Sequence, residues 1–571
     1  MYLKKVLTGS IAVSLASSLY AYEMKPVGFK SIGMGGTGVA STRGSLSGYY
    51  NPALLRMSDY TTELSLNVGA RIRETNLIDP MDELSTINFD TTLDNIGNNA
   101  TAGNVQSSAT VSGDTLTLSD NSTVTLSSGV GTVLSSLSSG ATSTQTVDGT
   151  TYTITANGSG NFTVLKDGTD NSTTDVSNIK RAVTIITQEI GTNNAFQLTV
   201  QASFAAQMSD MLAVGVYLNA DGAFRINIDS NYNQLITKQL NNGSYVYYGY
   251  DYDTDTYTAS SDSSAYTSSS IEYANDNNIN YVQVDTLILA EVPISYAKAY
   301  DWNSGFWSFG INFKPMSLET STQKISLGTS SDNADSGIDD YTTTYKTNYG
   351  IDLGVAYIPK GTDLTIGLVG KNINSPSFKV DTSKTGRTAD YEIDPYFRAG
   401  VSYPIWNNNI EFALDVDLQK SETMIPGEDT QMIGAGIELH PASWFALRAG
   451  AMQDLASEKY DEGTIITAGV GFGLKWFQFD LSVMASTETG EYDGNEIPRY
   501  AAANLSLVSK WGDGYNQKRP PVYKSSDKDF TENVVPTKIL TDEKIEEMEK
   551  ELEEEKELTP HQKRMKEKFG I

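Results

Sequence analysis

The chain has no cysteine, and its 571 residues include only two histidines, His440 and His561. Without thiols there is no disulfide framework, no thiolate metal site and no cysteine nucleophile. His440 precedes Pro441 and His561 lies near the C-terminus, so a histidine-based hydrolase would have no base beside a cleft. No catalytic residue, metal set or cofactor is assigned, and the chain does not read as an enzyme. Cations are also scarce. Lys and Arg number 41 against 70 Asp and Glu, a net charge of −29. Nothing here could neutralise a run of phosphates, which excludes nucleic acid as a partner. Long apolar runs are missing as well. Val6 to Leu19 is mostly apolar but short and interrupted by serines. With Lys4 and Lys5 before it and Leu19-Tyr20-Ala21 after it, residues 1–21 read as a secretory signal peptide. No other stretch approaches the roughly 18 apolar residues that a helical span needs. If the exported chain crosses a membrane, it must do so with strands.

What is present is an alternation of period two. Phe412, Leu414, Val416 and Leu418 share one side of a segment, and Glu411, Asp415, Asp417 and Gln419 the other. Fourteen such segments follow one another: 64–72, 196–204, 212–218, 282–296, 307–313, 351–357, 364–370, 397–403, 410–418, 433–439, 445–451, 466–474, 477–485 and 501–511. Their connections alternate between tight turns and longer polar stretches. An even strand count with loops sorted by end is expected of an outer-membrane barrel, with apolar side chains toward lipid and polar ones toward a lumen. A soluble sandwich has no reason to sort its loops. The reading is therefore all-β, a 14-stranded antiparallel transmembrane barrel over 62–511 in the bacterial outer membrane. The inward charges by parity are Arg71, Arg73, Glu291, Asp352, Lys371, Arg398, Glu411, Asp415, Asp417, Glu438, Arg448, Lys475 and Asp480. They read as barrel-filling ion pairs or as a substrate path. Tyr357, Tyr403, Trp444 and Trp476 suit interfacial girdles.

Three segments stand apart. Residues 74–194 form a Ser/Thr/Gly-rich insertion, expected to be extracellular, with short strand patterns at 115–118, 123–126 and 151–155. The loop from Asp229 to Asn280 is acidic and rich in tyrosine, which fits either sugar or cation binding or a solvated cover. From Gly512 a charged tail begins. Ile545, Met548 and Leu552 lie at helical spacing, and Thr559-Pro560 looks like a cap for a second helix. If strand 14 descends, 512–571 is a partly helical periplasmic tail, either a docking site for a protein partner or simply solvated.

Gly33, Gly35 and Gly38 spell G-x-G-x-x-G, but no buried strand precedes them and no βαβ unit follows. A tightly bent segment inside a barrel mouth accounts for these glycines better than a nucleotide does. The stretch from Gly28 to Leu55, GFKSIGMGGTGVASTRGSLSGYYNPALL, resembles the start of the FadL-type outer-membrane transporter superfamily. Its ending, Asn51-Pro52-Ala53-Leu54-Leu55, is similar to the branch known as conjugal transfer protein TraF. Phrases at 291–297 (EVPISYA), 310–315 (GINFKP), 367–374 (GLVGKNIN) and 395–403 (PYFRAGVSY) agree. The resemblance implies that 22–61 folds inside the barrel as a plug. It makes Asn51, Pro52 and Ala53 the plug motif and Gly33, Gly35, Gly36 and Gly38 its bends. Phe29, Met34, Leu46, Tyr49 and Tyr50 would then either contact an apolar substrate or only seat the plug. The implied function is passive uptake of hydrophobic small molecules through a barrel set in outer-membrane lipid. The alternative is a structural or docking barrel of a conjugation or secretion machine. The thioredoxin-like protein that shares the TraF label works through paired cysteines, which this chain lacks.

Overall fold

The computed structural model describes residues 23–512 apart from 170–172, 191–193, 242, 327–341, 380–389, 407–408, 426–427, 443, 457–461 and 474–476. The expected signal peptide, the expected tail from 513 onward, Lys475, Trp476 and His561 lie outside the described residues. None of the described helices is long and apolar enough to cross a membrane.

Fourteen antiparallel strand positions close into a barrel. They are β1 (Thr62–Glu74), β2 (Ala195–Gln207), β3 (Leu212–Asn227), β4 (Tyr281–Glu291 and Ile294–Trp302), β5 (Gly305–Ser326), β6 (Thr342–Pro359) and β7 (Thr365–Lys371). The circuit continues with β8 (Tyr396–Ile405), β9 (Ile410–Asp417), β10 (Met432–Ala442), β11 (Phe445–Asp454), β12 (Ile465–Gly473), β13 (Phe477–Ser486) and β14 (Tyr500–Trp511). Each strand pairs with its neighbours in sequence, and β14 closes on β1 from Thr62↔Trp511 to Arg73↔Tyr500. Position β4 is broken at Val292-Pro293, yet both of its pieces pair with β3 and β5, so it counts once. Proline has no N–H to give the ladder. Here the Pro293 carbonyl accepts from the Gly215 N–H at 3.0 Å instead.

The faces are sorted as an outer-membrane barrel requires. Phe412, Leu414 and Leu418 are 42–53% exposed, whereas Asp415 and Asp417 are 1% and 3% exposed. The same inversion recurs around the wall. Leu66, Val68, Val200, Phe204, Ile311, Leu368, Leu481 and Leu505 face outward, while Asn67, Arg71, Gln201, Asn312 and Ser482 are buried inside. An apolar belt of this extent is not tolerated in water and matches the hydrocarbon of a bilayer. At the short-turn end, Tyr300, Trp302, Trp307, Phe309 and Tyr357 form a contiguous aromatic patch, with Trp307 stacked on Tyr357 at 4.1 Å. Tyr403 and Trp444, also expected at the interface, are exposed at that end.

The two long insertions depart most from the sequence expectation. Residues 74–194 and 229–280 build a single lobe with its own sheet. Thr256–Ser260, from the second insertion, pairs in parallel with Val105–Ser112 of the first. One apolar cluster draws Leu93, Ile96 and Ile179 from the first insertion and Val246, Tyr248 and Tyr257 from the second. A second cluster, around Leu116, Leu134, Ile154 and Phe162, lies within the first insertion. The tyrosines of the second insertion are thus partly core residues rather than a solvated cover. The lobe is fastened to the barrel rim by Arg499, which bonds Glu74 of β1 at 2.5 Å and Asp79 of the helix Ile78–Ser85 at 2.8 Å.

Candidate functional site: the filled lumen

Residues 23–57 lie within the barrel and occupy its interior. The segment contains the short helices Phe29–Gly33 and Ser47–Tyr50 and the 3-10 turns Gly44–Leu46 and Pro52–Met57. Asn51 organises its last turn. Its Oδ1 accepts from the Ala53 N–H at 3.1 Å, as an N-cap does, with Pro52 pre-set at the first helical position. Its Nδ2 donates to the carbonyls of Val39 (3.0 Å) and Val355 (3.1 Å), tying two parts of the segment to β6. Ser308 Oγ donates to the Ala53 carbonyl at 2.7 Å. Asn51, Pro52 and Ala53 therefore meet in one buried corner against β5 and β6.

The wall accepts this close approach through glycine. A Cβ at Gly310 would collide with Pro52 and Ala53, and one at Gly354 with Asn51. At Gly367 it would strike Val39, and at Gly434, Gly436 and Gly450 the backbone of Met34 and Gly35. On the segment side, Gly35 and Gly36 take φ of +66° and +75°, where a side chain is strained, while Gly33 ends the first helix and Gly38 abuts the Tyr50 ring. The G-x-G-x-x-G spacing thus serves a bend packed against backbone.

The inward charges form networks that include the segment. Lys30 Nζ reaches Glu411 at 2.6 Å and Glu438 at 3.1 Å; Glu438 holds Arg448 at 2.7 Å, and Arg448 holds Asp480 at 2.7 Å. Lys314 bridges Glu291 (2.9 Å) and Asp352 (3.0 Å), and Lys371 donates to the Tyr49 carbonyl at 3.0 Å. Arg398 lies 3.6 Å from Asp415 and 3.4 Å from Asp417 and donates to the Gly36 carbonyl at 3.2 Å. Asp415 in turn accepts the N–H groups of Gly38 (2.7 Å) and Val39 (2.9 Å). Near the long-loop end, Arg71 pairs with Glu23, Arg73 with Glu462 and Lys25 with Asp221. Every described lumen charge named from strand parity thus has a partner that is buried or partly buried, as an ion removed from water requires.

The apolar candidates are covered. Met34, Leu46, Tyr49 and Tyr50 are buried, and Phe29 is half-buried beneath the Arg448 guanidinium at 4.6 Å. Tyr49 packs on Tyr217 at 4.9 Å and on Tyr50 at 5.1 Å. The crevice lined by Val27, Asn67 and Tyr217 encloses about 0 Å³, and that beside Lys25, Asp221 and Tyr391 about 10 Å³. A more open cavity of about 360 Å³ sits at the lobe rim, beside Asp79, Glu83, Arg181 and Glu189, with Arg181 already held by Glu83 and Glu189 at 2.5 Å.

Sequence reasoning missed Glu23, Lys25, Lys30, Asp221 and Lys314. Continuing the alternation of β3 and β5 past Leu218 and Phe313 would have placed Asp221 and Lys314 inside. The segment's own charges carried no periodic signal.

A closed fourteen-strand wall, greasy outside and filled by paired polar groups, defines an outer-membrane-type β-barrel. Within that class, the family model for the F plasmid transfer operon TraF protein matches residues 48–418, and the chain belongs to that family. Among solved structures, a deletion mutant of the monoaromatic hydrocarbon channel TodX aligns over 85% of this chain and 99% of its own, at 10% identity and a TM-score of 0.37. The toluene transporter TbuX of Ralstonia pickettii gives 11% identity and 0.29, and a Pseudomonas aeruginosa FadL homologue 9% and 0.34; each covers 86% of this chain and 99% of its own. None of the curated proteins matches.

Proposed function

We propose that the protein is an outer-membrane channel for passive uptake of hydrophobic small molecules, with residues 23–57 as its plug. The observation that carries this reading is the corner at Asn51, Pro52 and Ala53. There hydrogen bonds and glycine contacts fix the segment to the wall, beside a small apolar cluster of Ala53, Leu54 and Met57 with Phe306 and Ile358. The polar contacts at Asn51 can be exchanged for water, and the apolar surface shared with the wall there is small. The long loops and the lobe then face outside, the six tight turns face the periplasm, and the chain beyond Trp511 continues on the periplasmic side. Capture at the external mouth, a shift of the plug that uncovers Leu46, Tyr49 and Tyr50, and diffusion down a gradient would complete the cycle without an energy source.

The test replaces Asn51 and Pro52 by Ala and Gly and follows entry of radiolabelled naphthalene and palmitate into cells that otherwise lack the protein. Altered entry with a barrel that still assembles supports uptake. A deletion strain that takes up both compounds at the normal rate refutes it for those two classes.

Family membership favours a second reading, a docking barrel in a conjugation or secretion apparatus, with the lobe or the tail as the binding element. Removing 513–571, or the lobe, should then lose a co-purifying envelope protein; an unchanged partner list counts against this reading.

A further inference from the structure

The lobe sheet ends in the strand Thr142–Val147, which pairs only with Thr150–Gly158 among the described residues. The two are joined by Asp148 and Gly149, with φ of +49° and +82°, the left-handed pair of a two-residue hairpin. In such a hairpin the flanking residues, Val147 and Thr150, exchange the first ladder bonds, and bonded pairs then alternate. Gln145 and Ser143 therefore bond inward, and the Ala156 N–H to Ala141 carbonyl bond at 2.9 Å continues the same series. Thr142, Thr144 and Thr146 are left with N–H and C=O aimed away from the sheet, and their side chains are exposed.

Natural edge strands are blunted by lysine, proline or a bulge. Residues 142–147, TSTQTV, carry none of these and no charge in a chain of net charge −29. The opposite edge of the same sheet, Ile236–Asn241, does carry Lys238. The open edge is also self-complementary. A two-fold axis through Thr144 sets Thr144 against Thr144 and Thr142 against Thr146, so every pair that exchanges both N–H···O=C bonds is threonine on threonine, with Ser143 facing Gln145 between them.

We infer that the strand Thr142–Val147 is a homodimerisation edge, on which a second copy of this chain adds its own Thr142–Val147 antiparallel and continues the lobe sheet across a two-fold axis. The contact is small beside a standard protein interface. It does not depend on what the barrel transports or docks.

The absence of cysteine makes the register directly testable in the full chain reconstituted in liposomes. Thr144→Cys faces its own copy, at the roughly 5.5 Å Cα separation that a disulfide accepts. Thr142→Cys faces Thr146 and lies about 14 Å from its own copy. Mild oxidation should give at least tenfold more linked dimer for Thr144→Cys than for Thr142→Cys. Thr144→Lys, which sets two ammonium groups face to face, should leave the wild-type barrel intact but monomeric by mass photometry. Equal linking at both positions means random collision and overturns the inference. So does a wild-type chain that stays monomeric, or a foreign protein found on this edge instead of a second copy.

Discussion

The Gly38 backbone N–H donates to Asp415 Oδ2 at 2.7 Å, across 377 residues of chain, and the Val39 N–H shares the same oxygen at 2.9 Å. One carboxylate on β9 thus fixes the bend of the N-terminal segment, with Arg398 balancing its charge.

Asp415→Ala removes the acceptor for two buried N–H groups and leaves Arg398 with less compensation. An unsatisfied buried donor costs about 1–3 kcal/mol. The variant should unfold at lower urea than wild type in micelles, whereas Asp415→Asn, which keeps an oxygen, should lose less. Equal midpoints for the two variants would contradict the assignment.

Gly354→Val puts a Cβ in collision with Asn51 Oδ1. The wall should still close, because β6 tolerates valine, while the segment is displaced. Planar-bilayer conductance should rise in the variant and stay low in wild type. If both remain equally closed, residues 23–57 are not what seals the lumen.

Leu481→Arg tests the direction of the belt. Leu481 is 46% exposed on the outer face of β13. An arginine on a lipid-facing position costs up to about 2–4 kcal/mol, depending on its depth, and Asp480→Asn on the opposite face should not show this lipid penalty. The readout is the folded fraction after refolding into liposomes.

The lobe should weaken as the solution becomes alkaline. Burial pushes the Glu272 carboxyl up from the ordinary 4.5 to about 7, beside the Tyr266 hydroxyl at 3.1 Å and the Lys238 N–H at 3.2 Å. The folded lobe then binds this proton more tightly than the unfolded chain does. Its contribution is complete below the unfolded value and is lost as pH rises through about 7. Hydrogen exchange of Ile271–Asp276 should accelerate from pH 5 to 8 beyond the intrinsic rate change, and Glu272→Gln should abolish that excess.

The barrel was legible because alternation over ten residues carries its own periodic signature. Phe412, Leu414 and Leu418 against Asp415 and Asp417 mark two faces, and the sorting of tight turns from long loops decided which of them meets lipid. Arg448 and Asp480 could be placed in the lumen by parity alone. That Lys30 would join them through Glu438 could not be foreseen, because residues 23–57 have no period and their contacts lie hundreds of residues away. The lobe was hidden for another reason. Val105–Ser112 and Thr256–Ser260 are each too short and too polar to announce a core. Only their pairing in space lets Ile96, Ile179 and Tyr257 bury one another.

The wall glycines carry a consequence for assembly. Gly310, Gly354, Gly436 and Gly450 leave hollows that only the stretch before β1 fills, and Asp221, Asp415 and Glu411 face charges or donors on that stretch. An empty cylinder would hold naked carboxylates around unfilled grooves. Closure of the seam between β14 and β1 is therefore coupled to the lodging of residues 23–57, whose donors and charges complete the interior of the wall.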